Sequence, residues 1–200
     1  MTEERILLFG GTFNPIHNGH LAMADAALRQ FPGSRLLLIP TAVPPHKPGD
    51  GLASSEHRME MCRLAIADHP CINLSDIEVR RGGLSYTVQT VRALAKEFPG
   101  AEFVFLCGED MFLTLAQWRE WRWLCEHLAF AVASRPGAAH LLAGALRDFA
   151  ALGGRAELLD WSPKQVSSTE IRRRAASGES IEVLVPPAVN SYISQHHLYI

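Results

Sequence analysis

The run Arg5-Ile6-Leu7-Leu8-Phe9, followed directly by Gly10-Gly11-Thr12-Phe13-Asn14-Pro15-Ile16-His17-Asn18-Gly19-His20, limits the folds open to this chain more than any other stretch. A short continuous apolar run ended by glycines has the length and composition of a strand buried on both faces. Past Pro15, the residues Leu21, Ala24, Leu28 and Phe31 recur at helical spacing. Strand, turn and helix in that order bring the free N–H groups and positive end of the helix to the turn, which favours an anion there. The two glycines are expected to adopt backbone angles closed to other residues and to let the chain approach a ligand closely. His17 and His20, three residues apart at the helix entry, can donate hydrogen bonds to phosphate oxygens, either neutral or charged. The same residues also suit a plain turn with two solvated histidines, or two ligands of a zinc site whose third and fourth ligands are missing at any recognisable spacing.

Further along, Arg35-Leu36-Leu37-Leu38-Ile39-Pro40 reads as a second buried strand. The loop Thr41-Ala42-Val43-Pro44-Pro45-His46-Lys47-Pro48 that follows is stiffened by prolines and carries a cation, suiting either a site at the strand ends or a solvated surface connection. Ser54-Ser55 cap a helix whose apolar side is Met59, Cys62, Leu64, Ala65 and Ile66, with Arg58 in its first turns. Alternation over Ile72-Asn73-Leu74-Ser75-Asp76-Ile77-Glu78-Val79 predicts a half-buried strand, closed by a turn at Arg80-Arg81-Gly82-Gly83. A helix from Ser85-Tyr86-Thr87 to Pro99-Gly100 comes next, then the strand Glu102-Phe103-Val104-Phe105-Leu106-Cys107, running into Gly108-Glu109-Asp110. Trp118, Trp121 and Trp123 mark a helical stretch, and clustered tryptophans are expected in core packing. A strand at residues 129–133, a helix at 138–151 and a short strand near 156–159 lead to Val166-Ser167-Ser168-Thr169-Glu170-Ile171-Arg172-Arg173-Arg174. Ser and Thr at a helix start, with a guanidinium close behind, suit phosphate, though taken alone they read first as an everyday capped surface helix. A last helix opens at Val185-Pro186-Pro187, and His196 and His197 are expected to be solvated. Strands alternating with helices predict a doubly wound parallel sheet.

Two hundred residues suit one domain, and 48% hydrophobic with 20% charged residues describe an ordinary globular chain. The formal charge of −2 argues against nucleic acid as a partner of the whole chain. Cys62, Cys71, Cys107 and Cys125 form no C-x-x-C pair and read as reduced, buried thiols. Met1-Thr2-Glu3-Glu4-Arg5 carries no hydrophobic leader and no run approaches membrane-spanning length, so a cytoplasmic protein without a membrane partner is expected.

The first motif resembles the G-G-[ST]-F-[DN]-P-[IV]-H-x-G-H signature of the HxGH nucleotidylyltransferase superfamily, and residues 166–172 are similar to its I-S-S-T-x-I-R signature. Pro44-Pro45-His46-Lys47, Ser85-Tyr86-Thr87, Gly108-Glu109-Asp110, Trp118 and Arg135-Pro136-Gly137 resemble bacterial nicotinate-nucleotide adenylyltransferases, with matching blocks from near Leu7 to Ile193. The resemblance implies a single nucleotidylyltransferase domain over residues 1–200, Rossmann-like with sheet order 3-2-1-4-5 and a small C-terminal helical portion. It implies transfer of AMP from ATP to nicotinate mononucleotide, giving the deamido dinucleotide and pyrophosphate in NAD synthesis. His17, His20 and Arg172 would be catalytic. Gly10, Gly11, Thr12, Phe13, Gly19, Lys47, Gly108, Asp110, Arg135, Ser168, Thr169 and Ile171 would bind ATP. Asn14, Tyr86, Thr87 and Trp118 would hold the nicotinate nucleotide, Trp118 by stacking on the pyridine ring. Asn14 for the commoner Asp, Val166 for Ile, and Glu109 for a small residue depart from the pattern, and Glu109 bears on the ribose site.

A nucleotide phosphate is already anionic, so its attack on the α-phosphorus of ATP needs neither deprotonation nor a protein nucleophile. Positioning two anions and stabilising the departing pyrophosphate is what remains, and magnesium is expected on the phosphates because no carboxylate cage is visible. Phosphopantetheine or CTP as substrate, a catalytically silent nucleotide-binding sensor, and RNA binding through Arg172-Arg173-Arg174 are the competing readings. The sequence leaves the oligomeric state open, a homo-oligomer included.

Overall fold

The computed structural model describes residues 4–44, 51–134 and 139–200. In chain order the strands are β1 Arg5–Gly11, β2 Arg35–Pro40, β3 Ile72–Leu74, β4 Glu102–Gly108, β5 Ala129–Ala133 and β6 Arg155–Leu158. The helices are α1 Asn18–Gln30, α2 Ser55–Ala65, α3 Ile77–Arg81, α4 Thr87–Glu97, α5 Glu109–Leu113, α6 Trp121–His127, α7 Ala139–Ala151, α8 Ser168–Ala176 and α9 Pro187–Gln195, with a 3-10 turn at Leu115–Gln117. All strand pairs are parallel and the order is β3-β2-β1-β4-β5-β6, so the expected order holds with β6 added at the edge.

Parallel strands covered on both faces need apolar side chains at every position, and β1, β2, β4 and β5 supply them. Odd and even positions then divide between two cores. Leu7, Phe9, Leu36, Leu38, Val104 and Leu106 meet α1, α2, α8 and α9 on one face. Ile6, Leu8, Leu37, Ile39, Phe103 and Phe105 meet α3 to α7 on the other.

Residues 72–79 do not form one strand. β3 stops at Leu74, and Ile77 and Glu78 are buried side by side in α3, a pattern that period two cannot produce. Thr90 Oγ1 of α4 donates to the Glu78 carboxylate at 2.6 Å, a partner that makes burial of that acid tolerable. Gly82 and Gly83, both at φ +68°, end α3 in a conformation glycine adopts without strain. Cys62, Cys107 and Cys125 are buried as expected, but Cys71, in the turn just before β3, is exposed. Burial pushes the Cys107 thiol up to about 12, and Cys62 upward as well, which keeps both inert.

Leu94 sits fully buried in α4 against β4 and its neighbours, whereas Val183 is 79% exposed. Leu94→Ala should lower stability by about 2–5 kcal/mol, and Val183→Ala by less than about 0.5 kcal/mol. Urea midpoints at unchanged m-value would check both.

Candidate active site

β1 and β4 are neighbours in the middle of the sheet, and the chain leaves them toward opposite edges. A crevice opens at the carboxyl ends of such a pair, where open α/β sheets bind ligands. Gly10 and Gly11 end β1 in ordinary extended conformation, so the expected special backbone angles are not their reason for being glycine. Gly11 supplies room instead: a Cβ there would stand 2.8 Å from Cζ of Phe13. Phe13 takes φ +47°, in the left-handed region, which costs a non-glycine residue on the order of 1–3 kcal/mol. Its buried ring offsets that cost by packing edge-on against Phe9 and His20, with centroids 5.4 and 5.1 Å away. The Asn14–Pro15 peptide is cis.

His17 and His20 cap α1 reciprocally. His20 N–H donates to Nδ1 of His17, and His17 N–H donates to Nδ1 of His20, each at 3.3 Å. With Nδ1 an acceptor, the proton of each neutral ring sits on Nε2. The rings stack with centroids 3.6 Å apart and planes 17° from parallel. Burial holds His17 down to about 4, a backbone hydrogen bond offsetting part of the effect. Burial first, and then the charge on His17, pulls His20 well below its usual value. At neutral pH the free protein therefore presents two Nε2–H donors without positive charge.

The second motif packs directly on this turn. Ser168 Oγ donates to the Pro15 carbonyl at 2.9 Å, and Arg172 Nη1 donates to the Asn14 carbonyl at 2.9 Å. Gly19 is what lets the segments meet, since a Cβ on it would lie 2.8 Å from Val166 Cγ1 and 3.1 Å from the His17 ring. Ser167 is the N-cap of α8, accepting from Glu170 N–H at 3.2 Å. Thr169 lies beside Arg172, and Ile171, fully buried, anchors α8 in the core. The N-terminal ends of α1 and α8 thus meet at one turn. Arg173 pairs with Glu170 and Glu179, and Arg174 with Glu170, so these two guanidiniums are engaged with carboxylates rather than arrayed for RNA.

At the end of β4 a Cβ on Gly108 would meet nothing within 4 Å, leaving space over the crevice. Glu109 is buried there and accepts from Ser134 Oγ at 3.1 Å, tying the ends of β4 and β5 together. Asp110 is exposed in the first turn of α5. Tyr86 is the N-cap of α4 and Thr87 its first residue, both half-buried. Trp118 packs edge-on to Phe105 of β4 at 5.7 Å, and the neighbouring Arg119 stands 5.0 Å over the Tyr86 ring. Tyr86, Thr87 and Trp118 therefore share one side of the crevice. Trp121 and Trp123, half-buried beneath Arg122 and Arg92 respectively, pack with Trp118 against the same core, as clustered tryptophans are expected to do. Lys47 and Arg135 lie outside the described residues.

The Asn14 side chain is heavily engaged within the protein. It donates to Gly51 O at 2.8 Å and accepts from Ala53 N–H at 3.0 Å and from the Tyr199 hydroxyl at 2.7 Å. An aspartate could accept both but could not donate to Gly51. Three contributors escaped the sequence reading. Tyr199 reaches the first motif from the C-terminal tail, and Trp161 Nε1–H donates to Ser134 O at 3.0 Å. Arg58 is 1% exposed and donates to the carbonyls of Ala53, Thr12, Thr41 and Ala42 at 3.0, 2.9, 2.6 and 3.0 Å. Its signal was in the spacing, because Arg58 shares a helix face with Met61, Cys62 and Ala65, where an apolar residue belongs.

Among the described residues no three His, Cys, Asp or Glu side chains gather as a group that could hold a metal ion. A cavity of about 550 Å³ opens on the flank of α1, lined by Asp25, Arg29, His69, Asp160, Trp161 and Lys164 among others, and includes neither histidine. No helix among the described residues is long and apolar enough to cross a membrane.

The cytidylyltransferase-like family profile matches residues 8–174. A probable nicotinate-nucleotide adenylyltransferase of Symbiobacterium thermophilum is 46% identical over 98% of this chain and 95% of its own. Another, of Synechococcus sp. (strain JA-3-3Ab), is 44% identical over 99% and 96%. Among solved structures, nicotinic acid mononucleotide adenylyltransferase of Plasmodium falciparum complexed with NaAD superposes with a TM-score of 0.79 at 19% identity, over 98% of each chain, a likeness of fold. On the sequence relationships, which run the length of both chains, this chain belongs to the cytidylyltransferase-like family and, within it, to the nicotinate-nucleotide adenylyltransferases.

Proposed function

We propose that this crevice transfers AMP from ATP to nicotinate mononucleotide, residues 1–200 acting as a single nucleotidylyltransferase domain. The observation that carries the reading is the convergence on one turn of the His17 and His20 Nε2–H donors, the N-terminal ends of two helices, and the Arg172 guanidinium. Such a set is complementary to a triphosphate and offers no nucleophile. An oxygen of the acceptor's phosphate attacks the α-phosphorus in line, the bond from that phosphorus to the bridging oxygen breaks, and pyrophosphate leaves with the electron pair. The acceptor oxygen is already ionised, so no proton is removed.

His17 and His20 donate to the phosphate oxygens and stabilise charge as it builds on the leaving group, and Arg172 does so from the α8 side. Gly10 to Phe13, Gly19, Ser168 and Thr169 line the triphosphate, and Ile171 holds α8 in place. Gly108 and Asp110 lie toward the nucleoside, and Lys47 and Arg135 complete the ATP site. Tyr86, Thr87 and Trp118 hold the nicotinate nucleotide, with Asn14 fixing the turn between the two substrates. The donors at the turn suit phosphate oxygens rather than a cation, so magnesium fits as an ion carried by the triphosphate, where it would neutralise charge. The reading carries a cytoplasmic location with it, where ATP and the nucleotide acceptor are supplied.

Pyrophosphate release from ATP and magnesium, with nicotinate mononucleotide, nicotinamide mononucleotide or phosphopantetheine as acceptor, tests the reading. Turnover should be selective for the nicotinate nucleotide, and His20→Ala should lower kcat by roughly 10²- to 10³-fold. Preference for phosphopantetheine would overturn the acceptor, and ATP binding without turnover would make the protein a sensor.

His17 also links stability to pH. Its ordinary value of 6.5 falls to about 4 in the fold, so as pH drops the unfolded chain takes up the proton first. Its contribution is complete above 6.5 and is lost progressively from 6.5 toward 4. His17→Gln should flatten the decline in urea midpoint across that window, and an unaltered slope would show that burial of the imidazole is not its source.

A further inference from the structure

We propose that Arg58 is a positioning residue for adenylyl transfer, whose guanidinium sets the ATP side of the crevice in register with the acceptor side; the inference rests on the function proposed above. Arg58 is buried in α2, and its four hydrogen bonds all end on main-chain oxygens of other segments or of the residue leading into the helix. Thr12 O belongs to the turn that runs from β1 into His17. Thr41 O and Ala42 O belong to the segment leaving β2, and Ala53 O to the entry of α2.

The contact with Ala42 does not stop there. Ala42 N–H donates to Ser85 Oγ at 3.0 Å, and Ser85 N–H donates to Val43 O at 3.0 Å. Ser85 immediately precedes Tyr86 and Thr87. Thr41 N–H in turn donates to Gly11 O at 2.8 Å. One side chain thus joins Thr12 on the ATP side, through two peptide units of the β2 exit, to the start of α4 on the acceptor side. The link is short, made of hydrogen bonds and the peptide units between them.

Stability alone does not ask for an arginine here. On a face shared with Met61, Cys62 and Ala65, an aliphatic residue is the ordinary occupant, and a buried guanidinium facing only carbonyls gains no ion pair. What arginine adds is a rigid planar fork with donors in several directions, which fixes the relative placement of the segments it touches. Two substrates reacting in line demand that placement, since a misplacement of about 1 Å costs on the order of 10²-fold in rate. Lysine keeps the charge and the stem but gathers its donors on one nitrogen, so it cannot span the same carbonyls.

The test compares wild type, Arg58→Lys, Ser85→Ala and the double variant by steady-state kinetics with ATP and nicotinate mononucleotide, with rates normalised to the folded fraction from urea unfolding. Positioning predicts that Arg58→Lys lowers kcat by on the order of 10²-fold, while each KM stays within about threefold. Ser85→Ala should lower kcat less, and the double variant should fall short of the product of the two effects, because both act through Ala42. A normalised kcat within about threefold of wild type in Arg58→Lys would overturn the proposal, as would a raised KM at unchanged kcat. If Arg58→Lys does not fold, Ser85→Ala decides: a lower kcat at unchanged KM upholds the link, and an unchanged kcat removes it. Absence of turnover in the wild type would instead sink the proposed function, a separate result.

Discussion

A chain that leaves a buried sheet must find donors for the peptide oxygens that no longer pair within it, and the turn after β1 finds them in distant parts of the sequence. Thr12 O is taken by Arg58, Asn14 O by Arg172 and Pro15 O by Ser168, while Asn18 N–H donates to Leu184 O. The turn is therefore held by α2, by α8 and by the segment before α9 together. Its shape depends on the whole domain having closed. This accounts for the distance in sequence between the motifs: the second does not merely add ligands to the first, it satisfies the first's backbone.

Charge in the crevice is divided by chemistry. The imidazoles cannot both be cationic at 3.6 Å in a buried place, and they serve as neutral donors. Among the described residues around the turn, permanent positive charge comes from Arg172 and Arg58, since a guanidinium stays protonated even where burial lowers its pKa, and helix N-termini add partial charge. The surface arginines Arg173 and Arg174 are paired with acids. A chain of net charge −2 can thus carry a locally electropositive turn without being basic overall.

Where local pattern and burial agree, the sequence was legible. β1, β2, β4 and β5 were plain because a strand covered on both faces shows as an uninterrupted apolar run. Residues 72–79 were misleading because Ile72 and Leu74, then Ile77 and Val79, each alternate, but Ser75-Asp76 shifts the phase and would put the two pairs on opposite faces of a single strand, while buried Glu78 finds its partner in Thr90 on another helix. Gly11 was legible as special, but its backbone is ordinary and the Phe13 ring occupies the space of a Cβ there, while at Gly19 a Val166 methyl does the same from far along the chain. The spacing of Arg58 on the apolar face of α2 marks it as buried, but its partners, like those of Tyr199, lie on other segments and no local period names them.

The sequence alone determined the alternation of strands and helices, the strand-turn-helix with its two imidazoles, the second motif at residues 166–172, and through these the family. Those features are local, set by periodicity and by residue types spaced within a single element. Only the tertiary structure decided that the imidazoles are neutral with Nε2 as donor, that α8 closes on Asn14 and Pro15, and that one buried guanidinium joins the two sides of the crevice. Protonation and register follow from desolvation and from donors arriving across the fold, and neither exists until the segments have packed together.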